Sequence, residues 1–265
     1  MPCASSSTAT AASGACRPDD RIGLTPVGLY RDRGVVLRTY RLGEADRIVV
    51  MLTRGHGKVR AVAKGVRKTK SRFGGRLEPA SHVDLLMYEG RGELDIVSQA
   101  ETVDHFRPLR DDLDRLAGAV AVLEAADQLA LEGEANARLY DMVVGALRTL
   151  AGQDAPLVVP GFLLKALALE GFRPQVEACV ACGSEGPLVS WALEEGGLRC
   201  AAHRLGPAVS PDAVAVLQAM LGGRLGAALA EHRPPVVSEV DHLAVRAFEY
   251  HVERRLRSVN ALHRT

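Results

Sequence analysis

The stretch RIVVMLTRGHGKVRAVAK, Arg47 to Lys64, holds two short β-forming runs joined by a glycine-rich turn. Arg47 to Thr53 is dominated by Ile, Val, Met and Leu, and Arg54-Gly55-His56-Gly57 supplies the residues that reverse a chain. In the second run Lys58, Arg60, Val62 and Lys64 alternate with Val59, Ala61 and Ala63. Side chains of a strand point to opposite faces in turn, so the run predicts a charged outer face and a small apolar inner one. Working outward, Gly34 to Tyr40, His82 to Tyr88 and Leu94 to Thr102 read as further strands, separated by Leu42-Gly43-Glu44 and Glu89-Gly90-Arg91-Gly92. Five short strands, with no convincing helix between most of them, predict a small closed or nearly closed barrel.

After Pro108 the period changes. Leu113, Leu116, Val120 and Leu123 recur at helical spacing, as do Leu139, Val143, Leu147 and Leu150, then Leu163 and Leu167 before Gly171. Ser210-Pro211 opens a helix over Asp212 to Leu221, and Ser238 with Asp241 three residues on opens a last one through about Arg257. The fold class is therefore α+β in two domains: a barrel over residues 27–106 and a helical domain over 107–265. With 47% hydrophobic and 25% charged residues in 265, the chain has an ordinary globular composition. No apolar run approaches the roughly 18 residues needed to span a bilayer. Residues 1–26 are small, Ser/Thr/Ala-rich and lack a basic and apolar leader, so they read as a disordered extension with Cys3 and Cys16 as incidental thiols. The absence of a signal points to the reducing cytosol and leaves three cysteines to be explained by metal or chemistry.

The formal net charge is only +1, which taken alone argues against a nucleic-acid partner. Its distribution argues the other way: residues 1–30 are neutral, 31–110 carry +7 and 111–265 carry −6. Nine basic side chains and no acidic one lie between residues 54 and 76, namely Arg54, Lys58, Arg60, Lys64, Arg67, Lys68, Lys70, Arg72 and Arg76. Like charges on one face repel, so nine of one sign call for a polyanion to neutralise them. Aromatic residues make up 4% of the chain, and only Tyr40, Phe73 and Tyr88 lie near enough to stack bases. Phosphate contact with weak sequence preference follows, and the barrel without the acidic half, cut after about Pro108, is expected to hold DNA more tightly.

Within the helical half, Cys179-Val-Ala-Cys182 is followed after seventeen residues by Cys200-Ala-Ala-His203. Two ligand pairs flanking a short hairpin, with Glu194-Glu195-Gly196-Gly197 as its turn, fit a tetrahedral structural zinc site in an element spanning about 176–206. Four protein ligands close such a site and leave no position for a catalytic water. His251-Val-Glu253 with Cys-x-x-Cys resembles part of the nucleobase-deaminase signature, but the order is reversed and the proline is missing. The P-loop, His-Glu-x-x-His and Gly-x-Ser-x-Gly templates are absent, so nothing supports a catalytic residue.

The runs Tyr30 to Leu37, Gly43 to Arg47, Leu52 to Lys58, Ala63 to Arg67, Ser71 to Phe73 and Leu77 to Pro79 closely resemble the N-terminal domain of the RecO family of bacterial DNA repair proteins. The resemblance continues more weakly through the helical half. It implies an OB-fold followed by a helical domain with a zinc-binding element. It also implies a non-enzymatic recombination mediator, cytoplasmic and nucleoid-associated, that binds single- and double-stranded DNA and anneals complementary strands. Such a mediator acts with RecR and RecF to help RecA displace single-strand-binding protein. His203 stands where the family usually has a fourth cysteine, and imidazole is an acceptable zinc ligand. The family begins close to Tyr30, which makes residues 1–26 an extension and Val27 a candidate start. The competing reading is a zinc-dependent nucleic-acid-processing enzyme.

Overall fold

The computed structural model describes residues 28–90 and 92–258. The extension with Cys3, Cys16 and Val27, and Arg91 in its turn, lie outside the described residues. Five strands, β1 (Leu29–Leu42), β2 (Asp46–Thr53), β3 (Gly57–Ala63), β4 (His82–Tyr88) and β5 (Asp95–Asp104), close into a barrel of order β1-β2-β3-β5-β4. This is an OB-like barrel, antiparallel except where β3 meets β5 at Ala61↔Asp95 and Val62↔Ile96. The first strand starts at Leu29, five residues before the predicted Gly34, because it serves two neighbours. Its first half pairs with β4 from Leu29↔Tyr88 to Val35↔His82, and its second half pairs with β2. A bulge between Val36 and Arg38 re-aims the strand between the two pairings.

A core of Val36, Val49, Met51, Val59, Ala61, Val83, Met87 and Val97 fills the barrel. The outer face carries a second apolar set, Val35, Leu37, Val50 and Leu52, buried under the helices and continuous with their core. Those helices are α1 (Leu113–Leu129), α2 (Ala137–Gly152), α3 (Val158–Leu169), α4 (Pro211–Leu221), α5 (Leu225–Leu229) and α6 (Pro234–Val252). None is long and apolar enough to cross a membrane. Asp112, Asn136 and Ser210 cap α1, α2 and α4 by accepting backbone N–H bonds from Arg115, Leu139 and Ala213.

Two helix expectations change. In α1 three of the four residues of the stripe that signals the helix face water, Leu113 at 77% exposed, Leu116 at 37% and Val120 at 43%, while Leu123 is buried at 3%. The buried side is Gly118, Ala119, Ala121, Val122, Leu123, Ala125 and Ala126, small residues that let α2 and α3 pack close. The last helix starts at Pro234 rather than Ser238, since prolines in a first turn lack only N–H groups that have no helical acceptor, and it ends at Val252 rather than about Arg257.

The seam between barrel and helices is also polar. The Lys58 N–H donates to the Leu131 carbonyl at 3.0 Å, and the Gly133 N–H to the Lys58 carbonyl at 3.3 Å. His82, 2% exposed, meets the Tyr140 hydroxyl through Nε2 at 2.6 Å while its ring stacks on Phe106. Burial holds the His82 imidazole below its ordinary value, and burial pushes the Tyr140 phenol up to about 12.

Candidate nucleic-acid interface and metal centre

The alternation along β3 is as its sequence predicts: Val59, Ala61 and Ala63 are buried, and Lys58, Arg60 and Val62 point outward. Register places Tyr40, Ile48 and Val62 side by side across β1, β2 and β3 on that outer face. Tyr40 is 45% exposed, with the Arg38 guanidinium 5.1 Å from its ring centre and hydrogen-bonded to its hydroxyl. Arg38 lies outside the run of nine cations and was missed for that reason. The strand alternation Arg38, Tyr40 is the signal that could have found it.

The nine cations divide into groups. Lys58 departs from the expectation of an exposed contact: its ammonium donates to the Asp127 carbonyl at 2.8 Å and sits 3.6 Å from the Asp127 carboxylate, with 16% of the side chain exposed. The C-terminal half of α1 covers that end of β3, so Lys58 is a tether between barrel and helices. Arg38 reaches the same carboxylate at 2.9 Å. Arg54 lies 3.6 Å from Asp141, and Arg60 lies 3.4 Å from Glu93. Arg67 donates to the Glu44 carbonyl at 2.9 Å and Arg76 to the Arg72 carbonyl at 2.7 Å, so both brace the loop they sit in.

Lys64, Lys68, Lys70 and Arg72 are exposed, and their charged ends meet no hydrogen-bond or ion-pair partner among the described residues. The loop that carries them is nonetheless held. Phe73 and Leu77 insert into the barrel core, the Gly65 N–H donates to Asp46 at 2.7 Å, and the Arg67 N–H donates to the Ala45 carbonyl at 3.0 Å. Phe73 is 1% exposed, which removes it from the candidate stacking rings; Tyr40 and the 41% exposed Tyr88 remain. The result is four uncompensated cations on an anchored loop beside an exposed tyrosine.

In the helical half, β6 (Leu188–Ala192) and β7 (Gly197–Cys200) form the hairpin between the ligand pairs. Trp191, Leu188 and Leu198 fix it to the helical core. Donor atoms of Cys179, Cys182, Cys200 and His203 all lie within 4.8 Å of one another. Zinc bonds of about 2.3 Å to sulfur and about 2.0 Å to nitrogen give tetrahedral edges of about 3.8 Å between sulfurs and about 3.5 Å between sulfur and nitrogen. Cys182 Sγ to Cys200 Sγ is 3.8 Å and Cys200 Sγ to His203 Nδ1 is 3.4 Å. Backbone hydrogen bonding, from Cys200 first, pulls the Cys179 thiol down to about 6, while the hydrogen bond to Cys179 raises the Cys182 thiol, so of the two Cys179 ionises first, and the thiolate is the form that binds metal. Arg199 holds the His203 carbonyl at 3.0 Å and is itself held by Glu195 at 2.9 Å, which steadies the turn presenting the imidazole. The cluster can hold a metal ion, and with four protein donors it would pin the Cys179 loop to the end of the hairpin.

Comparison with known proteins agrees with both halves. Residues 27–106 match the family model for the recombination protein O N terminal region, and residues 110–260 match that for its C terminal region. The DNA repair protein RecO of Streptomyces coelicolor is 44% identical over 245 residues, covering 88% of this chain and 98% of its own length. Those of Bifidobacterium adolescentis and Frankia casuarinae are each 44% identical, covering 88% and 89% of this chain and 99% of their own lengths.

Proposed function

This chain belongs to the RecO family of DNA repair proteins, and from that premise we propose that it is a non-enzymatic, cytoplasmic recombination mediator working on DNA. It binds single- and double-stranded DNA through the outer face and loop of the barrel, with Arg54, Arg60, Lys64, Arg67, Lys68, Lys70, Arg72 and Arg76 as the contacting cations and Lys58 as a support. It anneals complementary strands and, with RecR and RecF, assists RecA loading on DNA coated by single-strand-binding protein. The ion at Cys179, Cys182, Cys200 and His203 is zinc, in a structural role.

The observation that carries this reading is the group of four exposed cations on an anchored loop, none of them paired with a carboxylate; Arg72 lies over the Phe73 ring at 4.8 Å, which leaves its charge unneutralised. Leaving such charges uncompensated costs stability unless a polyanion completes them. Annealing needs two polyanions brought close with base edges free, which phosphate contact provides without reading sequence. The closed donor set argues against the zinc-enzyme alternative, since no coordination position is left for water.

The test is duplex binding across a salt series. Changing Lys64, Lys68, Lys70 and Arg72 together to Ala should reduce the slope of log K against log salt by about 3 to 4. Lys58→Ala should leave the slope unchanged. An unaltered slope in the fourfold variant would reject the placement, and wild-type annealing of protein-coated strands by that variant would reject the link to function.

A further inference from the structure

The helical half carries −6, yet one end of it is built differently. Residues 254–265 hold four arginines and no acidic side chain. Three exposed arginines, Arg246, Arg254 and Arg255, line a shallow groove with Tyr250 at the C-terminal end of α6, and among the described residues none of the three has an ion-pair partner.

The aromatic rings there are also out of the ordinary for this chain. Four of its five phenylalanines are 4% exposed or less, while Phe172 is 49% exposed and Tyr250 45%. Phe172 follows Gly171 at the end of α3, where its N–H bonds the Leu167 carbonyl at 2.8 Å and that of Gly171 bonds Ala168 at 3.3 Å. In that helix-ending motif the residue after glycine ordinarily packs back onto the last helical turn. Here the ring instead lies nearly parallel to His251, 25° between planes and 4.7 Å between centres, and Tyr250 meets the same imidazole edge-on at 5.2 Å. Burial holds the His251 imidazole below its ordinary value, so near neutral pH it serves as an uncharged spacer between two solvent-facing rings.

We propose that Phe172 and Tyr250, with Arg246, Arg254 and Arg255, form a second nucleic-acid site that takes a single strand, bases against the rings and phosphates against the guanidiniums. Every base has a stacking face, so the site is indifferent to sequence, and a duplex, whose bases are already stacked, gains only the charge contacts. Two carboxylates share the groove, Glu249 and Glu253. Glu249 accepts the Leu256 N–H at 2.8 Å and keeps its charge, so both carboxylates oppose phosphate and the three arginines leave the groove at a net +1. Two separate sites on one molecule would let it hold one strand on the barrel and another on the helices, a geometry suited to annealing. The inference rests on the reading of this chain as a DNA-binding protein.

The experiment uses the full chain, a labelled twenty-residue oligothymidylate, and a baseless phosphodiester strand of the same length. Phe172→Ala with Tyr250→Ala is tested both in the wild-type background and in the fourfold barrel variant. Thermal melts should show it folded, since both rings are about half exposed. In the barrel-variant background, oligothymidylate affinity should fall by about 10-fold or more, with affinity for the baseless strand changed less than about 2-fold. Arg246, Arg254 and Arg255 changed together to Gln should flatten the salt slope for single strands by about 2. Unchanged oligothymidylate affinity in the ring variant, while the barrel variant alone weakens binding, would overturn this inference and leave the barrel reading standing. Unchanged binding in the barrel variant as well would overturn the DNA reading on which the inference rests.

Discussion

Gly57 is the point at which the barrel and the helices touch backbone to backbone. Its φ is +66°, and a Cβ built on it would lie 2.0 Å from the Glu134 carbonyl oxygen and 2.5 Å from its carbon. Those are main-chain atoms and cannot swing aside. Gly57→Ala therefore forces the loop between α1 and α2 away from the β2–β3 turn, breaking Lys58 N–H to Leu131 and Gly133 N–H to Lys58. The left-handed conformation costs Ala about 1 kcal/mol, and two net hydrogen bonds cost about 1 kcal/mol each. The expected destabilisation is about 3 to 4 kcal/mol, a large share of the roughly 5 to 15 that holds a domain folded. Gly43→Ala is the internal control, with φ +58° and nothing within 4 Å of the new Cβ, so it should cost about 1 kcal/mol from conformation alone. Urea melts of the two variants side by side measure the difference. Equal destabilisation would refute the contribution assigned to the seam.

Two further outcomes are expected. His82 has a folded-state value below its ordinary 6.5, so the unfolded chain binds its proton more readily. The stability contributed by keeping it neutral is complete above about 6.5 and is lost as pH falls below that. His82→Gln should flatten the fall in melting temperature between pH 6.5 and 5; parallel curves for variant and wild type would remove His82 as the cause. At the metal centre, Cys179→Ser should abolish stoichiometric zinc in elemental analysis and lower the melting temperature, as should prolonged chelation of the wild type. Retention of one equivalent of zinc would discard the ligand assignment.

The barrel was legible because its strands are short, alternating and punctuated by glycine, and the Cys/His pairs were legible because ligand spacing is a local property. The double life of β1 was not, since a strand that changes partners halfway leaves no mark in its own sequence. The stripe on α1 misled for a related reason. Periodicity locates a helix, but Ala and Gly faces attract partner helices as well as Leu faces do, and hydrophobicity counts favour the leucines. Among the cations, sequence could count nine but could not divide them. Lys58 and Lys68 differ in whether Asp127, which lies 69 residues from Lys58 in the chain, comes within reach.

The four outward-facing aliphatic residues of the barrel, Val35, Leu37, Val50 and Leu52, weld what the chain order presents as two modules into one folding unit. Cutting after Pro108 would put all four in water, at roughly 1.5 to 3 kcal/mol each, which approaches the entire stability of a domain of this size. A comparison of DNA affinity between the intact chain and an excised barrel would then measure unfolding as much as charge. The surface proposed to face DNA therefore cannot be borrowed as a cassette, and a load applied there would be borne by the helices as well.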